Sequence, residues 1–133
     1  MKYSCTTWLM VALTLFSTVR SDAQTNDKQP VRLVIAGISH GHSGWIYGSK
    51  QTSDVQVVGI YEPDLQLAEI FRKRFNLGKE LFYTDLEKML DVVKPEAAAA
   101  FGSIRNHLAV VEACAPRGIH VMVEKPLAFN NAD

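Results

Sequence analysis

Two histidines flank one glycine, His40-Gly41-His42, inside the stretch Ala36-Gly37-Ile38-Ser39-His40-Gly41-His42-Ser43-Gly44 that follows an apolar run. A turn with few side chains lets backbone amides approach a pyrophosphate, and a helix starting there adds the positive end of its dipole. Gly37 and Gly41 are the expected phosphate-loop glycines, with Ile38, Ser39 and His42 beside them at the cofactor. The pattern is a degenerate G-x-G-x-x-G, since Ser39 holds the second glycine position and His42 the third. An ordinary strand-to-helix turn fits the same residues. No metal centre is expected, because no carboxylate or thiol completes a local cluster around His40 and His42, and zinc requires three or four ligands.

Three other positions carry chemistry. Glu62 lies 25 positions beyond Gly37 at the end of a second apolar run. There an acidic side chain accepts hydrogen bonds from both hydroxyls of an adenosine ribose and repels a 2′-phosphate, which favours NAD over NADP. The competing reading of Glu62-Pro63-Asp64 is a turn that caps the next helix. His107 opens a helix, where it either borders a nicotinamide or serves as a surface or capping residue. Glu124-Lys125-Pro126 ends the last apolar run. Pro126 biases Lys125 toward an extended backbone, which would aim its ammonium into a crevice to donate to a substrate hydroxyl or polarise a carbonyl. A solvated Glu124–Lys125 pair is the alternative.

These residues need a scaffold. Val31 to Ala36, Val55 to Tyr61, Leu81 to Tyr83, Ala97 to Phe101 and His120 to Val123 read as strands. Between them, Leu65, Ala68, Ile70, Phe71 and Phe75 recur at roughly helical spacing, and Asn106 to Ala115 carries a stripe of Leu108, Val111 and Ala115. Thr84-Asp85-Leu86-Glu87 fits a capping box opening a helix to about Val92. Pro116 and Gly118 close the last helix, Gly118 suiting the left-handed C′ position. Strands separated by helices pair in parallel through right-handed crossovers, so the expected fold is α/β, a Rossmann-like doubly wound parallel sheet. Ligands bind at the carboxyl ends of such strands, where every cluster named above falls.

The chain of 133 residues is 47% hydrophobic and 21% charged, within the range of one globular domain. Lys2, the apolar run Trp8 to Phe16 and Ser21-Asp22-Ala23 read as a signal peptide over residues 1–23, followed by a short polar linker over 24–30. Cleavage near Ala23 would deliver the protein to the periplasm or outside the cell. The apolar run is too short to span a bilayer, and Cys5 precedes it instead of following it, so no stable membrane anchor is expected. With Lys2, Arg20 and Asp22 removed from a balance of 14 basic and 14 acidic residues, the remainder is nearly neutral and recruits no nucleic acid. Only Cys114 would remain, which excludes an internal disulfide.

The ordered set Val34-Ile35-Ala36-Gly37, Glu62-Pro63-Asp64, Tyr83-Thr84-Asp85, His107 and Gly118 to Ala128 resembles the N-terminal domain of the glucose-fructose oxidoreductase, inositol dehydrogenase and MocA (Gfo/Idh/MocA) family. Gly118 to Ala128 is similar to that family's Gly-Lys-His-Val-x-x-Glu-Lys-Pro-Leu-Ala, with Ile119 in place of the lysine. The resemblance implies a Rossmann domain holding NAD or NADP, followed by an α/β domain that supplies substrate contacts and an oligomer interface. It implies Gly37 and Ser39 at the pyrophosphate, Glu62 at the ribose, His107 along the cofactor, and Glu124-Lys125 at the nicotinamide, with Lys125 also touching substrate. Ser39, His42 and Gly102-Ser103-Ile104 depart from the family pattern. The chain is expected to stop within the Rossmann domain, over 31–133, before the catalytic acid-base residues of the second domain. The implied activity is oxidation of a sugar or cyclitol CH–OH group; the alternatives are an NAD-dependent glycoside hydrolase and a non-catalytic nucleotide- or sugar-binding module.

Overall fold

The computed structural model describes residues 29–48, 54–128 and 130, so the expected signal peptide and most of the linker lie outside the described residues. Five strands, β1 (Val31–Ala36), β2 (Val55–Tyr61), β3 (Phe82–Tyr83), β4 (Ala97–Ala100) and β5 (His120–Val123), form one sheet in the order β3-β2-β1-β4-β5. All four pairings are parallel. The helices are α1 (Trp45–Gly48), α2 (Leu65–Arg74), α3 (Leu86–Val93) and α4 (His107–Cys114). The chain order reverses between β1 and β4, which opens a crevice at their carboxyl ends.

Alternate side chains of a strand point to opposite faces. In β1, Val34 and Ala36 join a core with Met89 and Leu90 of α3 and Val110, Ala113 and Cys114 of α4. Ile35 points the other way, to Ile38, Ile60 and Phe71 of α2. The alanines of β4 divide in the same manner: Ala98 and Ala100 join the first core and Ala99 the second. Alanine favours helix, but pairing of Leu33 to Ala36 with Ala97 to Ala100 overrides that preference. Arg32, the one charge in β1, lies at the exposed amino end, where its guanidinium donates to the Val93 carbonyl.

Several local expectations are corrected. Asp85, not Thr84, caps α3 by accepting the Lys88 N–H at 2.9 Å. Leu81 belongs to a 3₁₀ turn before β3, and Phe101 lies just beyond β4. The stripe on α4 is rotated: Leu108 and Val111 are exposed, while His107, Val110, Ala113 and Cys114 are buried. In α2, Leu65 and Ile70 are exposed, and Ala68 and Phe71 face inward. Gly118 does adopt the left-handed conformation, with φ of 68°. Among the described residues, no helix is long and apolar enough to cross a membrane.

Candidate functional site

The glycine turn leaves β1 at Gly37, whose φ is +83°. A Cβ at this position would stand 2.5 Å from the Gly102 Cα, because the turns after β1 and β4 cross there. Gly37 is thus demanded twice, by conformation and by close approach. Gly41 answers no such demand: a Cβ would meet nothing within 4 Å, so its backbone stays bare toward open space. The stretch then coils into a 3₁₀ turn over Gly41–Gly44 and on into α1.

Much of the turn's hydrogen bonding belongs to the fold. Gly37 N–H donates to the Tyr61 carbonyl, Ile38 N–H to the Glu62 carboxylate, His40 N–H to the Phe101 carbonyl and Ser43 N–H to the His40 carbonyl. The Ser43 hydroxyl also donates to the His40 carbonyl, at 2.8 Å. Ser39, by contrast, is exposed at the rim of a cavity of about 100 Å³ formed with Gly37, Glu62, Gly102, Ser103 and Asn106.

Glu62 lines the same cavity and is only 7% exposed. Its Oε2 accepts the Ile38 N–H at 3.1 Å and its Oε1 accepts the Asp64 N–H at 3.0 Å. Each carboxylate oxygen retains a second lone pair. Capping of α2 falls to Asp64, which accepts from Gln66 and Leu67, while the Glu62 carboxylate both holds the turn to Asp64 and lines the cavity.

On the other side of the crevice, His107 is 2% exposed. Its Nδ1 lies 3.4 Å from the Leu127 carbonyl, while Nε2 is buried without a partner among the described residues. His107 is therefore neither a surface residue nor a cap; it ties α4 to the segment that carries Lys125. Lys125 is exposed, the Lys125–Pro126 peptide is cis, and the Lys125 N–H donates to Glu124 Oε1 at 2.9 Å.

Glu124 makes the contact that sequence reasoning missed. Its Oε2 is 2.5 Å from His42 Nδ1 and 3.8 Å from His40 Nδ1, across 82 positions of chain from His42. Hydrogen bonding from His42, then from the Lys125 N–H, holds its carboxyl below the usual glutamate range. The solvated Glu124–Lys125 pair is replaced by a Glu124–imidazole cluster. The expectation of no metal centre rested on the lack of a third ligand close in sequence, and the fold brings one from β5. No local pattern carried that signal.

A dinucleotide fits these residues. The bare turn at Ser39 and Gly41, the Glu62 carboxylate beside a cavity at the switch point, and the orphaned His107 Nε2 are arranged along the carboxyl edge of the sheet.

Comparison with known proteins agrees. The solved myo-inositol 2-dehydrogenase of Lactobacillus plantarum is similar with a TM-score of 0.63 and 22% identity, over 77% of this chain and 30% of that one. The WlbA dehydrogenase of Bordetella pertussis, solved with NADH and UDP-GlcNAcA, gives a TM-score of 0.65 and 18% identity, over 76% and 31%. A probable dehydrogenase of Thermotoga maritima gives 0.64 and 22%, over 77% and 30%. At these identities the likeness shows the fold, and this chain spans about a third of their length. No curated protein matches the chain. The profile of the Gfo/Idh/MocA oxidoreductase family, NAD-binding Rossmann fold, matches residues 31–133. The described sheet, its switch-point crevice and that match together place the chain in the Gfo/Idh/MocA family, as its NAD-binding Rossmann domain.

Proposed function

We propose that this chain is the cofactor-holding part of an exported, NAD-preferring oxidoreductase that acts on a CH–OH group of a sugar or cyclitol. The observation that carries this reading is Glu62: a carboxylate at the end of β2, fixed by two backbone N–H groups and bordering the switch-point cavity. Its spare lone pairs accept ribose hydroxyls, and its charge disfavours a 2′-phosphate. Ser39 and Gly41 present backbone to the pyrophosphate, and Lys125 donates to the substrate oxygen. NAD, when bound, supplies the hydride acceptor; the chain binds, orients and excludes water. In the parent enzyme a second domain supplies the acid-base residues and the oligomer contacts.

Calorimetric titration of the chain with NAD and NADP tests the cofactor preference. Binding of NAD at least about tenfold tighter than NADP, a difference of about 1.4 kcal/mol, supports it. Equal affinities, or a preference that survives Glu62→Gln, overturn the role of Glu62. Export is tested separately, by N-terminal sequencing of protein recovered from the periplasm or medium, where a start near Gln24 is expected.

A further inference from the structure

We propose that His40, His42 and Glu124 form a binding site for one divalent transition-metal ion, with zinc as the best match. Their ligand atoms all lie within 4.8 Å of one another. The two imidazole-to-carboxylate separations, 2.5 and 3.8 Å, bracket the spacing of about 3.4 Å between ligands on a tetrahedral zinc with bonds near 2.1 Å. A cation entering the cluster takes the place of the proton shared by His42 and Glu124, which leaves to solvent.

The ligands stand on a common frame. His40 N–H is bonded to the Phe101 carbonyl and Glu124 N–H to the Ala100 carbonyl, so both chains hang from consecutive residues at the end of β4. The Ser43 hydroxyl and N–H hold the His40 carbonyl and with it the curl that presents both imidazoles. Around Glu124, the Lys125 N–H engages Oε1 and leaves Oε2 to face the histidines, the outer-shell support that orients a metal-ligating carboxylate. His40 Nδ1 accepts the His42 N–H at 3.3 Å, a long bond that fixes the ring and that a cation bound at Nδ1 displaces.

Charge and access select a cation. Glu124 repels an anion, and its side chain is 12% exposed, whereas those of His40 and His42 are 38% and 27% exposed and give an entry path. Two imidazoles and a carboxylate suit zinc better than magnesium or calcium, which prefer all-oxygen shells. Three protein ligands leave a coordination position for water or a ligand oxygen, the open arrangement of reactive zinc sites.

The test uses the whole chain, stripped with a chelator, free of dinucleotide, and titrated with Co²⁺ followed by visible absorption and with Zn²⁺ by calorimetry. Because no NAD is present, the result is independent of the cofactor reading. One equivalent is expected, with affinity falling at least about tenfold in Glu124→Gln, His42→Ala and His40→Ala and holding in His120→Ala. His40 is partly exposed, so its variant reports even where His42→Ala does not fold. Absence of uptake, or uptake undiminished in His40→Ala and Glu124→Gln, overturns the site.

Discussion

Two glutamates end two strands of the same sheet, and both are largely withdrawn from water, yet they are held in opposite ways. Glu62, on the β2 side of the crevice, is anchored by main-chain N–H groups from Ile38 and Asp64. Glu124, on the β5 side, has one main-chain donor and otherwise faces two imidazoles. The first arrangement depends on the backbone path, which Gly37 helps to fix. The second depends on two side chains carried by the turn after β1. One carboxylate is a fixed acceptor suited to neutral hydroxyls, and the other is suited to exchanging a proton for a cation.

The largest effect should come from Gly37→Ala, which removes the frame both sides share. The new Cβ meets Gly102 backbone at 2.5 Å and sits at φ of +83°. Strain and overpacking together should cost about 3 kcal/mol, read by chemical denaturation. A loss below about 1 kcal/mol would mean that the two turns part easily.

Glu62→Ala breaks only the β2 side. It leaves the Ile38 and Asp64 N–H groups without their acceptor and should cost about 2 kcal/mol of stability along with NAD affinity. Metal uptake at the β5 side should be unchanged, and a parallel loss there would show that the two sides are coupled.

Glu124→Gln sharpens the comparison through pH. The folded chain favours the charged carboxylate, so the stabilisation is present above the unfolded glutamate value of about 4.3 and is lost as pH falls through the depressed folded value. The melting-temperature difference between the natural chain and Glu124→Gln should therefore close at the acid end of a series from pH 7 to pH 2. A gap that is constant across the series would show that the contact does not favour the ionised form.

The smallest effect belongs to Glu69, whose carboxyl is lowered to about 2 by Arg72 and then Lys73 on the exposed face of α2. Surface pairs of this kind contribute little. Glu69→Gln should leave melting temperature and NAD affinity unchanged at neutral pH; a changed affinity would extend the binding surface beyond the crevice.

Legibility followed the range of the interaction. The alternation of strands and helices, Gly118 at its left-handed position and Glu62 at the end of β2 were readable, since each depends on neighbours in the chain. The phase of α4 was not. Leu108 and Val111 are apolar enough to predict an inward stripe, but His107 points inward to the Leu127 carbonyl, and the buried face runs through Val110, Ala113 and Cys114. Likewise Thr84 and Asp85 are both good caps by composition, and the path out of β3 selected Asp85.

By itself, then, the sequence determined the element order, the parallel α/β architecture and the carboxyl-end location of the functional residues, because hydrophobic period and turn chemistry are local properties. Tertiary structure alone decided that Gly37 lies against Gly102, that His107 holds the Lys125 segment, and that Glu124 meets His40 and His42. Those pairs are separated by long stretches of chain and join only because β1, β4 and β5 are adjacent in the sheet, an adjacency created by strand order and not by any spacing of residues.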